Sequence, residues 1–222
     1  MARLDVLRVF VGNDGGGGNP LGVFLEGGDV PDSERQGIAA DLGFAETVFV
    51  DDAHSGRVRI FTPGTELPFA GHPLVGTAWL LAREGLGVPA MRPPAGEVPV
   101  RTEGGLTFVV GRPEWAPEFE HVEVGSPAEV EALAGPPEGR DLVGVWSWED
   151  EAAGTVRVRV FPVRLGIEED EATGAHAVRL ADRLGRRLEI RQGRGSLILA
   201  EPRPDGGVEI GGRTELVETR DY

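Results

Sequence analysis

A strand that runs through a Gly-His-Pro turn into a helix, RIFTPGTELPFAGHPLVGTAW at residues 59–79, recurs once further along the chain. Arg159-Val160-Phe161-Pro162 repeats Arg59-Ile60-Phe61, and the acidic turn Glu168 to Gly174 stands where Glu66 to Gly71 stood. Leu180-Ala181-Asp182-Arg183-Leu184-Gly185 then parallels Leu80-Leu81-Ala82-Arg83-Glu84-Gly85. Such a chain reads as two related halves facing each other. Its 222 residues suffice for two units of about 100 residues each. We place the boundary between residues 104 and 105, with the final segment free to return to the first half.

Local patterns fill in the halves. Leu4 to Phe10 alternates as a strand, and Gly12 to Pro20 reads as a loop because Gly15 to Gly18 and Asn19-Pro20 interrupt it. Leu21 to Leu25, Glu46 to Val50 and Arg57 to Thr62 read as strands. Pro31-Asp32-Ser33-Glu34 opens a helix that carries Ile38, Ala39 and Leu42 inward and stops at Gly43. Pro73 to Leu81 reads as a helix with Leu74, Ala78 and Leu81 on one stripe. The proline-rich Pro89 to Pro99 is the candidate linker. Beyond it, strands are expected near Val98 to Arg101 and Leu106 to Gly111, and at Phe119 to Val124. Ser126-Pro127-Ala128-Glu129 is a capping box for a short helix through Ala134. Strands near Leu142 to Trp146, Val156 to Phe161, Leu188 to Arg191, Leu197 to Ala200 and Val208 to Ile210 surround a helix from Gly174 to Leu184. Each half is mostly strand with one principal helix, an α+β pattern.

Composition removes whole classes of chemistry. The chain has no cysteine, which excludes thiol catalysis, disulfides and thiolate metal sites. All of its basic residues are arginine, so a pyridoxal Schiff base, a Walker lysine and a lysine base are impossible. A net charge of −15 opposes binding to a phosphate backbone, so nucleic acid is not an expected partner. No apolar run approaches the roughly 18 residues that span a bilayer, and the expected location is cytoplasmic. No histidine pair has metal-site spacing, and GGGGNP lacks the order of a dinucleotide loop, so neither metal nor nucleotide is expected. Carboxylates, four histidines, hydroxyls and backbone dipoles remain.

Glu46 begins an apolar strand beside Phe44, Val48 and Phe49. Lost hydration there raises a carboxyl pKa and makes the group both a better base and a usable acid near neutrality. Helix starts at Gly71-His72-Pro73 and Thr173-Gly174-Ala175 offer free N–H groups and partial positive charge to an acid or a developing enolate. A small acid between the halves follows.

Four ordered motifs carry a resemblance: GNPLGVF at Gly18 to Phe24, AETVFV at Ala45 to Val50, ELPFAGHPLVGTA at Glu66 to Ala78, and EDEATGA at Glu169 to Ala175. Together they resemble the phenazine-biosynthesis isomerase-like (PhzF-like) family, from about Leu4 through Gly212. The resemblance implies the two-domain diaminopimelate epimerase fold, with two pseudo-symmetric halves, each a curved, mostly antiparallel sheet around a central helix. It implies an isomerase that needs no cofactor, acts on a small carboxylic acid and forms a homodimer. Glu46 matches the proton-moving glutamate, and Asn19, His72 and Asp170 match residues lining the same cleft. Gly71 and Gly174 match the glycines at the helix starts. Glu46, Asp170 and His72 are thus the expected catalytic residues, and Asn19, Gly71, Thr173, Gly174 and Ala175 the expected substrate-binding ones.

Departures from that pattern matter equally. Racemases of the superfamily use a thiol pair, and the corresponding positions here are Ala70 and Glu171, so two-thiol epimerisation is excluded. Where the family reads EDPATGS, this chain has Glu171 for proline and Ala175 for serine. Glu171 is expected to repel a substrate carboxylate or raise a neighbouring pKa. An inactive acid-binding member is the alternative. His54 and His121 read as surface residues, His176 as a helix position, and Trp115, Trp146 and Trp148 as packing residues.

Overall fold

The computed structural model describes residues 2–222. The first part of the chain forms β1 (Arg3–Val11), β2 (Gly17–Phe24), α1 (Asp32–Leu42), β3 (Glu46–Asp52), β4 (Arg57–Phe61), β5 (Glu66–Leu67) and α2 (Gly71–Arg83). Then come β6 (Ala90–Met91), β7 (Val98–Glu103), β8 (Leu106–Gly111), β9 (Glu120–Glu123) and α3 (Pro127–Glu131). The remainder forms β10 (Val143–Asp150), β11 (Thr155–Phe161), α4 (Gly174–Leu184), β12 (Leu188–Gln192), β13 (Ser196–Pro202) and β14 (Val208–Asp221). This is an α+β fold, and no helix of the described residues is long and apolar enough to cross a membrane.

The repeat in the sequence becomes a repeat of contacts. Arg59 on β4 binds Glu66 through Nε and Nη2, both at 2.7 Å, and lies 5.3 Å over the ring of Phe61. Arg159 on β11 binds Glu169 at 2.7 and 2.6 Å and lies 5.1 Å over Phe161. Each two-pronged pair pins an acidic turn to the strand before it. Each turn then enters a helix five residues later, at Gly71 and Gly174.

Both helices are enclosed by strands. The expected single stripe on α2 is in fact a continuous buried run, Gly71 to Ala78, with Leu80 and Leu81 also buried. It packs on β1, β2, β3, β8 and β14, so apolar residues are needed all round. α4 packs on β13 and β14 and buries Ala177, Val178, Leu180 and Ala181. Sheet order runs β5-β4-β3-β2-β1-β14-β13-β12-β11-β10-β9, with β7 and β8 attached beside β14. The joints β2–β3, β9–β10 and β11–β12 are parallel, and the other pairs are antiparallel.

Four local expectations need correction. The loop ends early, because Gly17 and Gly18, at φ of +63° and +88°, turn the chain back into register with β1 (Val11 opposite Gly17, Val9 opposite Asn19). Pro20 is tolerated in β2 because β3 begins only opposite Leu21. The candidate linker is packed structure: Ala90 and Met91 are buried, and Met91 pairs with Val98. The capping box forms, with Ser126 Oγ accepting from the Glu129 N–H at 3.3 Å, yet α3 stops at Glu131, ahead of Gly135-Pro136-Pro137. β14 does not end near Ile210 but continues to Asp221. Its later residues are charged and exposed, so they show no apolar alternation, and backbone pairing with β1 holds them in the sheet.

Candidate active site

The two helix starts meet. A Cβ placed on Gly174 would lie 3.0 Å from both Gly71 Cα and His72 N, so any larger residue would push the two turns apart. Neither helix carries a side-chain cap: Ala70 and Thr173 stand extended at the two N-cap positions. The first-turn N–H groups are thus offered as orphan donors with partial positive charge.

Three side chains converge here. Glu46 opens β3 with its carboxyl Oε2 buried and unpartnered by any hydrogen bond, 3.5 Å from His72 Nε2. Burial first, and the neighbouring Asp170 second, hold the Glu46 pKa well above the ordinary carboxyl value. Burial pushes His72 down to about 3, opposed by a hydrogen bond to the Pro20 backbone. Proline has no N–H, so the imidazole donates to the Pro20 carbonyl. The other nitrogen, Nε2, then presents a lone pair to Glu46, and a protonated Glu46 is its natural complement.

Asp170 completes the group from the opposite side. Asn19 Nδ2 donates to its Oδ1 at 2.7 Å and to the Ala172 carbonyl at 2.9 Å, while the Thr173 hydroxyl donates to Oδ2 at 2.6 Å. Burial raises Asp170 to about 6 against the lowering effect of the Thr173 and Asn19 bonds, with a smaller upward push from Glu171. Of the expected residues, Glu46 and His72 touch, Asn19, Asp170 and Thr173 form one network, and Gly71 and Gly174 face each other. Ala175 follows on the first turn of α4.

Glu171 raises the Asp170 pKa, as the sequence reading allowed, while other placements differ from that reading. Glu171 is engaged by the β12–β13 turn, where its Oε1 accepts from Arg194 N and Ser196 Oγ, each at 2.8 Å. Gln192 was not foreseen: its side chain donates to the Asp170 carbonyl and to Thr173 Oγ1, each at 2.8 Å, and accepts from Thr173 N at 3.1 Å. A neutral residue at a strand end gives no local signal of such a role. His121 is half-buried rather than a surface residue, and burial lowers its pKa to about 4. His176 is wholly buried, with its ring 4.8 Å from that of His121 and 5.4 Å from that of Phe119.

The phenazine biosynthesis-like protein model matches residues 9–135, more than half of the chain. A trans-2,3-dihydro-3-hydroxyanthranilate isomerase of Pseudomonas aeruginosa is 30% identical over 87% of this chain and 82% of its own length. The chain belongs to the phenazine biosynthesis-like protein family. An isomerase of the same name from Pseudomonas fluorescens is 48% identical, but the match spans 28% of this chain and 23% of that relative's length. Matches to relatives in Pasteurella multocida and Mesorhizobium japonicum likewise span only 25% and 39% of those proteins. Among solved structures, a PhzC/PhzF protein from Clostridium difficile superposes with a TM-score of 0.79 at 18% identity, covering 100% of this chain and 99% of that one. A probable proline racemase from Agrobacterium radiobacter gives 0.66 at 11% identity, covering 100% and 93%. These likenesses establish the diaminopimelate epimerase-like fold expected from the motifs.

Proposed function

We propose that this protein is an isomerase that moves a proton between carbons of a small, cyclic or unsaturated carboxylic acid without a cofactor. The observation that carries the reading is the buried, unpartnered Glu46 carboxyl set against His72, beside two uncapped helix starts. Residues 1–104 and 105–222 supply the two walls. N–H groups at Gly71, Gly174 and Ala175 hold the acid, and Asn19, Asp170 and Thr173 fix its orientation.

In the reaction, ionised Glu46 takes a proton from a C–H bond. The bonding pair passes into an enolate held by the helix-start N–H groups, and Glu46 returns the same proton to a second carbon. A carboxyl with a raised pKa suits both halves: it is a stronger base than an ordinary carboxylate, and its acid form persists to higher pH than an ordinary carboxyl's. His72 holds the Glu46 proton in place through its Nε2 lone pair. The names of the matched isomerases support this class of reaction.

Replacing Glu46→Gln is expected to lower turnover about 10²–10⁴-fold, the usual contribution of a general acid–base group. Binding of a carboxylic acid, followed by calorimetry, is expected to survive. Turnover that persists unchanged in the variant overturns the proposal. Solvent deuterium exchange into bound acids separates an isomerase from an acid-binding relative, because a mere binder exchanges no C–H at any pH.

A further inference from the structure

Asp170 and Glu171 are neighbours in sequence, yet their carboxylates reach the same short segment of β2 by two separate routes. Asp170 reaches it directly, through Asn19 Nδ2 at 2.7 Å. Glu171 reaches it through a relay. The Ser196 hydroxyl donates to Glu171 Oε1 at 2.8 Å and accepts from the Gly18 N–H at 2.8 Å. Ser196 is 1% exposed, so neither of its bonds is readily replaced by water. The Gly18 N–H bond is itself buried.

Local geometry shows that this relay is built rather than incidental. Arg194 N donates a second bond to the same Glu171 oxygen at 2.8 Å. Gly193, at φ +57°, leaves no Cβ to collide with the Glu171 carboxylate. Gly17, at φ +63°, lies against Ser196, where a Cβ would clash with the Ser196 backbone. Three segments far apart in sequence are therefore shaped around one carboxylate and one hydroxyl.

We infer that Glu171 and Ser196 form a strut that holds the Gly18–Asn19 segment against the acidic turn, making both of them positioning residues for the Asn19–Asp170 pair. The inference rests on the proton-transfer reading of the site for its significance, but the strut can be tested without any substrate. Asn19 has only one rotatable amide to offer, and a shift of its backbone would release both the Asp170 and the Ala172 bonds together. Glu171 also acts on Asp170 through charge. The other acid facing Asp170 is Glu46 from β3, with the neutral His72 of α2 beyond it, while Asn19 from β2 and Thr173 are neutral donors.

The test is amide hydrogen exchange at Gly18 together with the NMR titration of the Asp170 carboxyl, measured on Ser196→Ala, Glu171→Ala, their double variant and Glu171→Gln. Loss of one buried hydrogen bond corresponds to roughly tenfold faster exchange, so Ser196→Ala is expected to accelerate Gly18 exchange at least about tenfold. Glu171→Ala should accelerate it as well, and the double variant should exceed Ser196→Ala by little, because the bonds act in series. Glu171→Gln keeps the accepting oxygen and removes the charge. It should preserve Gly18 protection, whereas Ser196→Ala, by loosening the Asn19 bond that lowers the Asp170 pKa, should raise the Asp170 titration midpoint, which a merely structural role would not move. Unchanged Gly18 exchange in Glu171→Ala, fully additive effects, or an Asp170 midpoint unmoved in Ser196→Ala each overturn the inference. Retained turnover in Glu46→Gln would instead remove the proton-transfer reading and leave the strut standing.

Discussion

At Glu46 the fold and the proposed chemistry make opposite demands, because burial and the nearby Asp170 both disfavour the charge that the proposed base must carry. Unfolded, this carboxyl ionises around its ordinary 4.5; folded, it ionises at higher pH. Below 4.5 both states hold the proton and the residue contributes no pH dependence. As pH rises through that window, ionisation is easier in the unfolded chain, so folded stability falls. Glu46→Gln removes that loss. Denaturant melts are expected to show the variant more stable than the parent at pH 8 and equal to it at pH 4. An equal difference at both pH values would show that packing, not ionisation, sets the effect. A gain in stability on removing a charge from the proposed active site would be the usual trade of stability against function. The residue was legible in the sequence because a carboxylate beside Phe44, Val48 and Phe49 stands out. Gln192 and Ser196 were not, since an uncharged side chain announces its role only through partners 19 to 178 residues away.

At the scale of elements, the site depends on two helices whose first turns touch. Gly174→Ala places a methyl group 3.0 Å from Gly71 Cα and His72 N, and 3.1 Å from Ile210 Cδ1. Two of those neighbours are backbone atoms that cannot rotate aside, so the helices must separate. Overpacking of this kind costs about 1–3 kcal/mol. The expected outcome is a lowered melting temperature and a larger proportional loss in carboxylic-acid binding, because the paired N–H groups no longer face one ligand. Calorimetry on the folded variant checks this, and binding equal to that of the parent would contradict it. The helix starts themselves were evident from Gly-His-Pro and Thr-Gly-Ala. Their contact was not, because no local pattern says which two turns will meet. Local patterns also misread the proline-rich stretch 89–99, where burial of Ala90 and Met91 against the core outweighs the interruptions.

For the whole molecule, β14 is the joining element. It pairs with β8 and β13 over its first residues and with β1 from Arg213 to Asp221. Ile210 on the same strand reaches both Gly71 and Gly174. Deleting residues 213–222 should therefore expose one edge of β1, speed amide exchange along β1 and promote association through the bare strand. Exchange along β1 that stays at the parent level would show that β2 alone holds the strand. The sequence by itself determined the internal repeat, the strand-turn-helix units, the glycine stops of α1 and α4, and the exclusion of thiol and lysine chemistry, because neighbouring residues and composition encode all of these. Only the tertiary structure decided that Asn19 meets Asp170 across 151 residues, that His72 is held neutral against Glu46, and that Glu171 turns to Ser196. Those outcomes depend on sheet order and burial, and desolvation of a side chain is a property of everything packed around it rather than of its place in the chain.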